Sequence, residues 1–464
     1  MDRESMSLPA VPAELTAECL AERATRGPRY TSYPPATEMR SIAPERVTQE
    51  LAKIAAEKSP IGLYIHVPFC FSLCAYCGCN VIPTRDTTKG EGYVDEVTNE
   101  LARLSEMLGG ANPTTEVALG GGSPNFLEPA TIRRLMAAVR RYFSPTPEAR
   151  MSVELDPRRT TASQIHAFRE MGFNTCSVGV QDFAEPVQDA IRRHQTAVQT
   201  KWLIDRARGE GFTDINVDIV YGLPRQTEES FAHTIETIIG LEPDRIALFG
   251  YAHLPSKLPH QILVERAGRI LDRYERATLL LLAIEKLTAA GYIHLGLDHF
   301  ARPESSLAKA AAEHRMVRNF QGYVEYRNDV TLGVGVSAIS STPRLIWQNY
   351  SELAPWREAL DAGRLPSERG IPLGKDDQLR RDLIGKLMCD GEVDVTALGR
   401  TYGVDAKAYF SPELQELASL DDLASFDGAR IKTTSIGRLL VRNVCMVFDR
   451  YLQPAAEMKF SSTI

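Results

Sequence analysis

The chain has 464 residues, 44% hydrophobic and 24% charged, with 60 acidic residues against 53 basic ones and a net charge of −7. That is the composition of a globular protein of about three domains. It excludes a disordered chain and a nucleic-acid binder that relies on a general positive field. The longest apolar run, Ala277 to Ile284, meets Glu285 and Lys286 at once and falls well short of the ~20 residues of a membrane span. Met1 to Leu15 has no apolar stretch of the kind a secretory signal needs. The sequence therefore predicts a cytoplasmic protein with reduced cysteines and no membrane or nucleic-acid partner. Nothing in it asks for a second subunit, so a monomer is expected.

In chain order, residues 1–50 are Pro-rich before residue 45 and contain Gly27-Pro28-Arg29-Tyr30-Thr31-Ser32-Tyr33-Pro34, which reads as an extended arm rather than a helix. Short runs rich in β-branched, Leu and aromatic residues then predict strands at 62–67, 116–119, 151–155, 175–180, 215–220 and 245–249. Helical spacing lies between them, as in Val94, Val97, Leu101, Leu104 and Leu108. Strand alternating with helix is the pattern of parallel βα units, so residues 51–350 are expected to form an α/β barrel or part-barrel. After about residue 350 the rhythm stops. Leu379, Leu383 and Leu387, and then the apolar stretch 436–452, predict a small, mainly helical domain over 351–464. Gly333 to Ala338 fits a degenerate dinucleotide fingerprint, but no βαβ unit with a spaced acid accompanies it.

Parallel α/β folds place their chemistry at the carboxyl ends of strands, and the unusual residues fall there. Cys70 to Cys79 follow the first strand, and Gly120-Gly121-Gly122-Ser123-Pro124 the second. Glu154 and Asp156 end the third, Gln181 and Asp182 the fourth, Asp218 closes the fifth, and Tyr251-Ala252-His253 follow the sixth. Four of the eight cysteines lie within Cys70 to Cys79, while Cys19, Cys176, Cys389 and Cys445 are scattered and read as buried apolar residues. Cys70, Cys74 and Cys77, spaced C-x3-C-x2-C, suit three irons of a [4Fe–4S] cluster and leave the fourth iron open to a ligand. The competing reading is a zinc knuckle using all four cysteines. It asks Cys77 and Cys79, two residues apart, to close a tetrahedron without a second separated pair. Cys79 is therefore expected to be a non-ligand.

This cysteine spacing after a first strand, with a glycine-rich turn after the second, resembles the radical-SAM enzymes. The chain is most similar within them to the oxygen-independent coproporphyrinogen III oxidases. Gly27 to Pro34, Tyr64 to Cys70, Cys77-Gly78-Cys79-Asn80, Gly179 to Phe183 and Asp218 to Pro224 carry the resemblance. So do Tyr251 to Pro255, Asp298 to Ala301, Arg318 to Tyr323 and Gly335 to Ser340. Cys79 separates this family from a related haem-chaperone branch, which has Phe there and a shorter arm.

The resemblance implies a partial (β/α)6 TIM-like barrel with an N-terminal arm and a small helical C-terminal domain. It also implies a [4Fe–4S] cluster on Cys70, Cys74 and Cys77 and two molecules of S-adenosylmethionine. Tyr64, Gly121, Glu154, Ala252 and Ile339 would line the first site, Gly122, Ser123, Gln181, Arg193 and Asp218 the second, and Tyr76 would contact it as well. The implied reaction converts two propionates of coproporphyrinogen III to vinyl groups in haem biosynthesis, with a flavodoxin- or ferredoxin-like electron donor and an unidentified acceptor. The resemblance assigns no protein side chain as acid, base or nucleophile. Since the substrate has four carboxylates and the chain is acidic overall, a few placed arginines must recognise it, with Arg29, Arg302 and Arg318 as candidates. His299 reads as a packed structural histidine.

The chain departs from the family pattern at Leu119 (usually aromatic), Ser123 (usually Thr, with the hydroxyl retained) and Val317 (commonly His). The departures leave open a radical-SAM enzyme that transfers a methyl group or acts on another tetrapyrrole, and a haem chaperone without turnover.

Overall fold

A computed structural model describes residues 15–110, 112–325, 328–452, 460 and 462–464. Six parallel strands follow one another in sequence order: β1 (Ile61–Val67), β2 (Pro113–Gly121), β3 (Ser144–Leu155), β4 (Thr175–Gln181), β5 (Asp214–Tyr221) and β6 (Arg245–Gly250). Helices lie in the crossovers, among them Thr88–Met107, Pro129–Tyr142, Ala162–Glu170, Ala197–Glu210 and Glu228–Leu241. Strands covered by helices are buried almost end to end, as β1 is, which is why they read as continuous apolar runs. The helix Thr88–Met107 turns Val94, Val97, Leu101 and Leu104 inward, as their spacing predicts, with Leu108 buried just past its end and Tyr93 added to the buried face.

The sheet extends beyond the six-strand unit on both sides. Antiparallel β7 (Ile293–Gly296) and β8 (His299–Ala301) continue it from β6. On the other side β9 (Val330–Val334) runs parallel to β1, and a meander of β10 (Ile339–Ser341), β11 (Leu345–Asn349) and β12 (Ser367–Pro372) follows, with Arg40–Ser41 pairing on β12. The result is one open sheet of thirteen strands with a large apolar core.

Three expectations need correction. Residues 1–50 are not an extended arm throughout. Ala17–Arg23 is a helix, capped by the Thr16 hydroxyl on the Cys19 N–H, and Pro44–Glu57 is a second helix. Residues 1–14 lie outside the described residues. A boundary at residue 350 cuts the sheet, because β12 runs to Pro372. The C-terminal region also holds a three-stranded sheet of Glu392–Asp394, Ala424–Phe426 and Arg430–Thr433 among its helices, and the stretch 436–452 is split into Ser435–Leu439 and Val441–Val447.

Arm and C-terminal region are tied across the carboxyl rim of the sheet. Arg442 donates to the carbonyls of Gly27 and Pro28, and Tyr30 donates to Asp449 at 3.0 Å. Among the described residues no helix is long and apolar enough to cross a membrane.

Candidate functional site

The loop after β1 is held at both ends. The short strand Phe69–Cys70 pairs with Ile82–Pro83, and Ala75 N–H donates to the Ile191 carbonyl at 2.9 Å. Gln261 donates to the carbonyls of Tyr76 (3.0 Å) and Ala252 (3.2 Å), while His260 Nε2 lies 2.8 Å from the Cys77 carbonyl. All eight cysteines are free thiols. Burial pushes the Cys70 thiol up to about 12, helped by Cys77 and Cys74. Cys79 donates to Cys77 through its thiol and through its backbone N–H at 3.4 Å, which favours the Cys77 thiolate and disfavours that of Cys79.

The glycine turn after β2 docks directly on this loop. Gly122 N–H donates to the Val67 carbonyl at 2.8 Å and Ser123 N–H to the Phe69 carbonyl at 2.9 Å. A Cβ on Gly122 would stand 2.7 Å from the Phe69 carbonyl oxygen, so only glycine lets the two backbones approach this closely. Ser123 is buried and its hydroxyl donates to Asn125 Oδ1 at 2.5 Å.

Glu154, at the end of β3, accepts from Gly121 N–H at 3.1 Å. Its side chain is exposed at the carboxyl rim of the sheet. Burial pushes it up to about 7 against the Gly121 hydrogen bond, with Asp218 and Cys77 adding repulsion. Tyr64 O–H lies 3.1 Å from His66 Nδ1, and His66 Nε2 lies 3.0 Å from the Asn80 carbonyl. Burial lowers His66 to about 4 and leaves it neutral.

Around the rim, β4 carries a bulge between Gly179 and Gln181, and Gln181 sits at φ 71°. The Gln181 amide and the Arg193 guanidinium converge over Gly179, within 2.9 and 3.3 Å of where a Cβ would stand. Arg193 donates to the Gly179 carbonyl (2.5 Å), Asp156 (3.4 Å) and the Cys74 sulfur (3.6 Å), while its Nε is buried without a partner. Burial opposes its charge, but Tyr76, Asp156 and Cys74 outweigh burial and hold it cationic. Asp218 accepts from Ser177 (2.8 Å) and Asn216 (2.7 Å), and burial still pushes its carboxyl upward.

Tyr76 is half-buried beside Val187, Ile191 and Leu223. Ala252 follows β6, and half-buried Ile339 begins β10. Gly335, at φ 95°, turns the chain from β9 back into antiparallel β10 rather than into a helix, so the 333–338 stretch is not a dinucleotide turn.

The three candidate arginines separate. Arg29, 30% exposed in its side chain, donates to the Gly250 carbonyl at 2.7 Å and lines a small cavity with Tyr221 and Arg442 at the carboxyl ends of β5 and β6. The Arg318 side chain is only 3% exposed. It donates to the Arg29 carbonyl at 3.1 Å and lies 3.8 Å from Asp298, so it braces Arg29 rather than facing a ligand. Arg302 is a correction. It donates from its backbone to the Asp244 carbonyl, just before β6, at the opposite end of the sheet from the cysteines, and its side chain pairs with Glu242 and Glu304. His299 is buried, 2.6 Å from Asp298 and packed against Tyr323. Leu119 lies in the core, and Val317 pairs with Val324 in a hairpin.

Sequence reasoning gave no role to Arg158, which also reaches the Cys74 sulfur, or to Gln261 and His260, which hold the cysteine loop. Arg158 had a signal in its place two residues after Asp156. Gln261, 185 positions from Tyr76, had none.

The donor set fits a cluster. Among the described residues no three His, Cys, Asp or Glu side chains converge closely enough for a single metal ion, whereas three thiols on one loop, each for its own iron, need no such convergence. Over residues 64–238 the chain matches the Radical SAM superfamily. The oxygen-independent coproporphyrinogen III oxidase of Pseudomonas aeruginosa is 38% identical over 449 residues, covering 94% of this chain and 96% of that protein. Its Escherichia coli K12 counterpart is 39% identical over 440 residues, covering 94% and 96%. The chain belongs to the oxygen-independent coproporphyrinogen III oxidase family. A solved structure of the Escherichia coli coproporphyrinogen III oxidase, described as a Radical SAM enzyme, superposes with a TM-score of 0.88 at 38% identity, covering 91% of this chain and 98% of that one. The cofactors of this family are a [4Fe–4S] cluster and S-adenosylmethionine, and the cysteine loop and glycine turn form the part of the rim that suits them.

Proposed function

We propose that this protein catalyses the oxygen-independent conversion of two propionate side chains of coproporphyrinogen III to vinyl groups, giving protoporphyrinogen IX in haem biosynthesis. The observation that carries the reading is the convergence of Cys70, Cys74 and Cys77 with Gly121 and Glu154 on one rim. When bound, the reduced cluster and S-adenosylmethionine supply the 5′-deoxyadenosyl radical that removes a hydrogen atom from a propionate β-carbon. Each propionate then gives up CO2 and one electron, leaving a C=C bond.

The chain's own residues bind and orient. Cys70, Cys74 and Cys77 would hold three irons. Glu154 can accept from an ammonium or ribose hydroxyl, while Gly121 leaves room for a ligand to approach the backbone. Tyr64, Ala252 and Ile339 would complete this first S-adenosylmethionine site. Gly122, Ser123, Gln181, Arg193 and Asp218, with Tyr76, would form a second, where Arg193 can face a carboxylate. Arg29, braced by Arg318, is the cation placed to take a propionate. No side chain is assigned as acid, base or nucleophile.

The electron enters from a small carrier such as a flavodoxin or ferredoxin and leaves to an acceptor not yet identified. The protein acts as a monomer in the cytoplasm, where thiols stay reduced. The test is anaerobic incubation of the reconstituted protein with coproporphyrinogen III, S-adenosylmethionine and a reductant. Protoporphyrinogen with two CO2 per substrate is the expected result. A methylated product, or haem binding without formation of 5′-deoxyadenosine or methionine, overturns it.

A further inference from the structure

Cys74 is the most enclosed of the three ligand cysteines, 7% exposed where Cys70 and Cys77 are half-buried. Two guanidinium groups reach its sulfur, Arg193 Nη1 at 3.6 Å and Arg158 Nη2 at 3.8 Å. Both also hold Asp156. Arg158 grips it as a fork, Nη2 to Oδ2 at 2.6 Å and Nε to Oδ1 at 2.9 Å, and its backbone N–H donates to Oδ1 at 3.0 Å. Arg193 adds a contact at 3.4 Å. The three side chains are 15%, 14% and 8% exposed for Arg158, Asp156 and Arg193. Two cations and one carboxylate leave one net positive charge against a single ligand sulfur, largely out of water, where charge acts at its strongest.

Arg158 has no part in the reaction as set out above, yet its geometry is fully fixed. Donors on a ligand sulfur withdraw electron density from an iron–sulfur cluster and make it easier to reduce, whereas a nearby carboxylate does the reverse. We propose that the Arg158–Asp156 pair is a positioning device that sets the one-electron reduction potential of the cluster through Cys74, Arg158 raising it and Asp156 moderating it. The fork holds the two opposed charges in one fixed arrangement, so the balance between them does not depend on side-chain motion.

The experiment is an anaerobic redox titration of the reconstituted holoprotein with a one-electron reductant, followed by electron paramagnetic resonance of the reduced cluster, with iron per chain measured in each sample. In Arg158→Gln the ratio of reduced to oxidised cluster at a fixed potential should fall about tenfold, ~59 mV toward the negative for one electron. Arg158→Lys, which keeps the charge and loses the fork, should fall between Gln and wild type. Asp156→Asn should move the other way. A purely structural role predicts lost iron or shifts of one sign. Full iron with every ratio within roughly threefold of wild type, or Asp156→Asn moving in the same direction as Arg158→Gln, overturns the proposal. If Arg158→Gln takes up no iron, the sign of the Asp156→Asn shift decides. The inference rests on the cluster reading above. A wild-type protein that assembles no cluster fails that reading, whereas full clusters with unmoved potentials fail this one alone.

Discussion

The backbone N–H of Gly121 donates to Glu154 Oε2 at 3.1 Å, tying the turn after β2 to the end of β3. That bond favours the ionised Glu154 carboxyl, but desolvation outweighs it and pushes the group from 4.5 up to about 7.

Folded Glu154 binds its proton more tightly than it does in the unfolded chain, so the ligand-free protein should lose stability as pH rises from about 4.5 through 7. A ligand ammonium favours the ionised form. Binding of S-adenosylmethionine should therefore expel a proton below pH 7, and affinity should climb by up to about tenfold per pH unit and level off above. Titration calorimetry in buffers of different ionisation enthalpy measures this. In Glu154→Gln the slope should vanish and the affinity at pH 8 should fall by roughly tenfold; a slope that survives contradicts the assignment.

Gly121 sits at φ 112°, and a Cβ there would stand 2.4 Å from the His66 ring. Gly121→Ala combines backbone strain with displacement of a buried ring that also engages Tyr64. A loss of about 2–3 kcal/mol in urea unfolding is expected, together with weaker S-adenosylmethionine binding. Gly92 is the contrast: exposed in the helix Thr88–Met107 with nothing within 4 Å of its Cβ position. Gly92→Ala should stabilise by up to about 1 kcal/mol.

The six strands were legible in the sequence because parallel strands, buried on both faces, read as unbroken apolar runs closed by Gly or acidic residues. For the same reason the rim residues Glu154, Asp218 and Ala252 could be placed at strand ends. The β10–β12 meander was not, since its short strands extend the sheet antiparallel from β9 and only the β11–β12 connection carries a helix, Leu353–Asp361, too little to mark a rhythm. Arg302 was misplaced because it follows β8, which runs antiparallel to β6 and brings its carboxyl end to the amino end of the barrel. The trio of Asp156, Arg158 and Arg193 on Cys74 joins three separate βα loops, and no spacing rule links residues that meet only after the sheet has formed.

Glu100 is 1% exposed and accepts from Gly335 N–H (2.8 Å), Asn349 (2.6 Å) and Trp356 Nε1 (3.1 Å). It is the internal anchor of the turn that leads into Ile339. Glu100→Ala leaves three buried donors unpaired and should cost about 3–5 kcal/mol. Denaturant unfolding should show the loss, and Gly335 should gain amide exchange before the core strands do.

Arg29 and Arg302 form a matched pair at opposite ends of the sheet. Arg29→Gln should raise KM for coproporphyrinogen III by roughly tenfold or more, the worth of one charge-assisted carboxylate contact, with S-adenosylmethionine affinity unchanged. Arg302→Gln should alter neither. Equal effects of the two substitutions would show that charge in general, and not the position of Arg29, governs substrate affinity.

Cys74 and Cys79 differ in what their side chains supply. Cys74 is enclosed by Arg158 and Arg193 and is assigned an iron, so Cys74→Ser should lose the visible absorbance of the cluster and all turnover. Cys79 is exposed, and its backbone N–H, not only its thiol, donates to Cys77. Cys79→Ser keeps that N–H bond and replaces the thiol donor with a hydroxyl, so the three ligand sulfurs keep their surroundings and iron should still be bound. Iron per chain in the two variants separates the alternatives. Iron lost in both would make Cys79 a ligand, as a zinc knuckle or four-cysteine site requires. Iron lost only in Cys74→Ser leaves one iron without a protein ligand, the open position that S-adenosylmethionine needs.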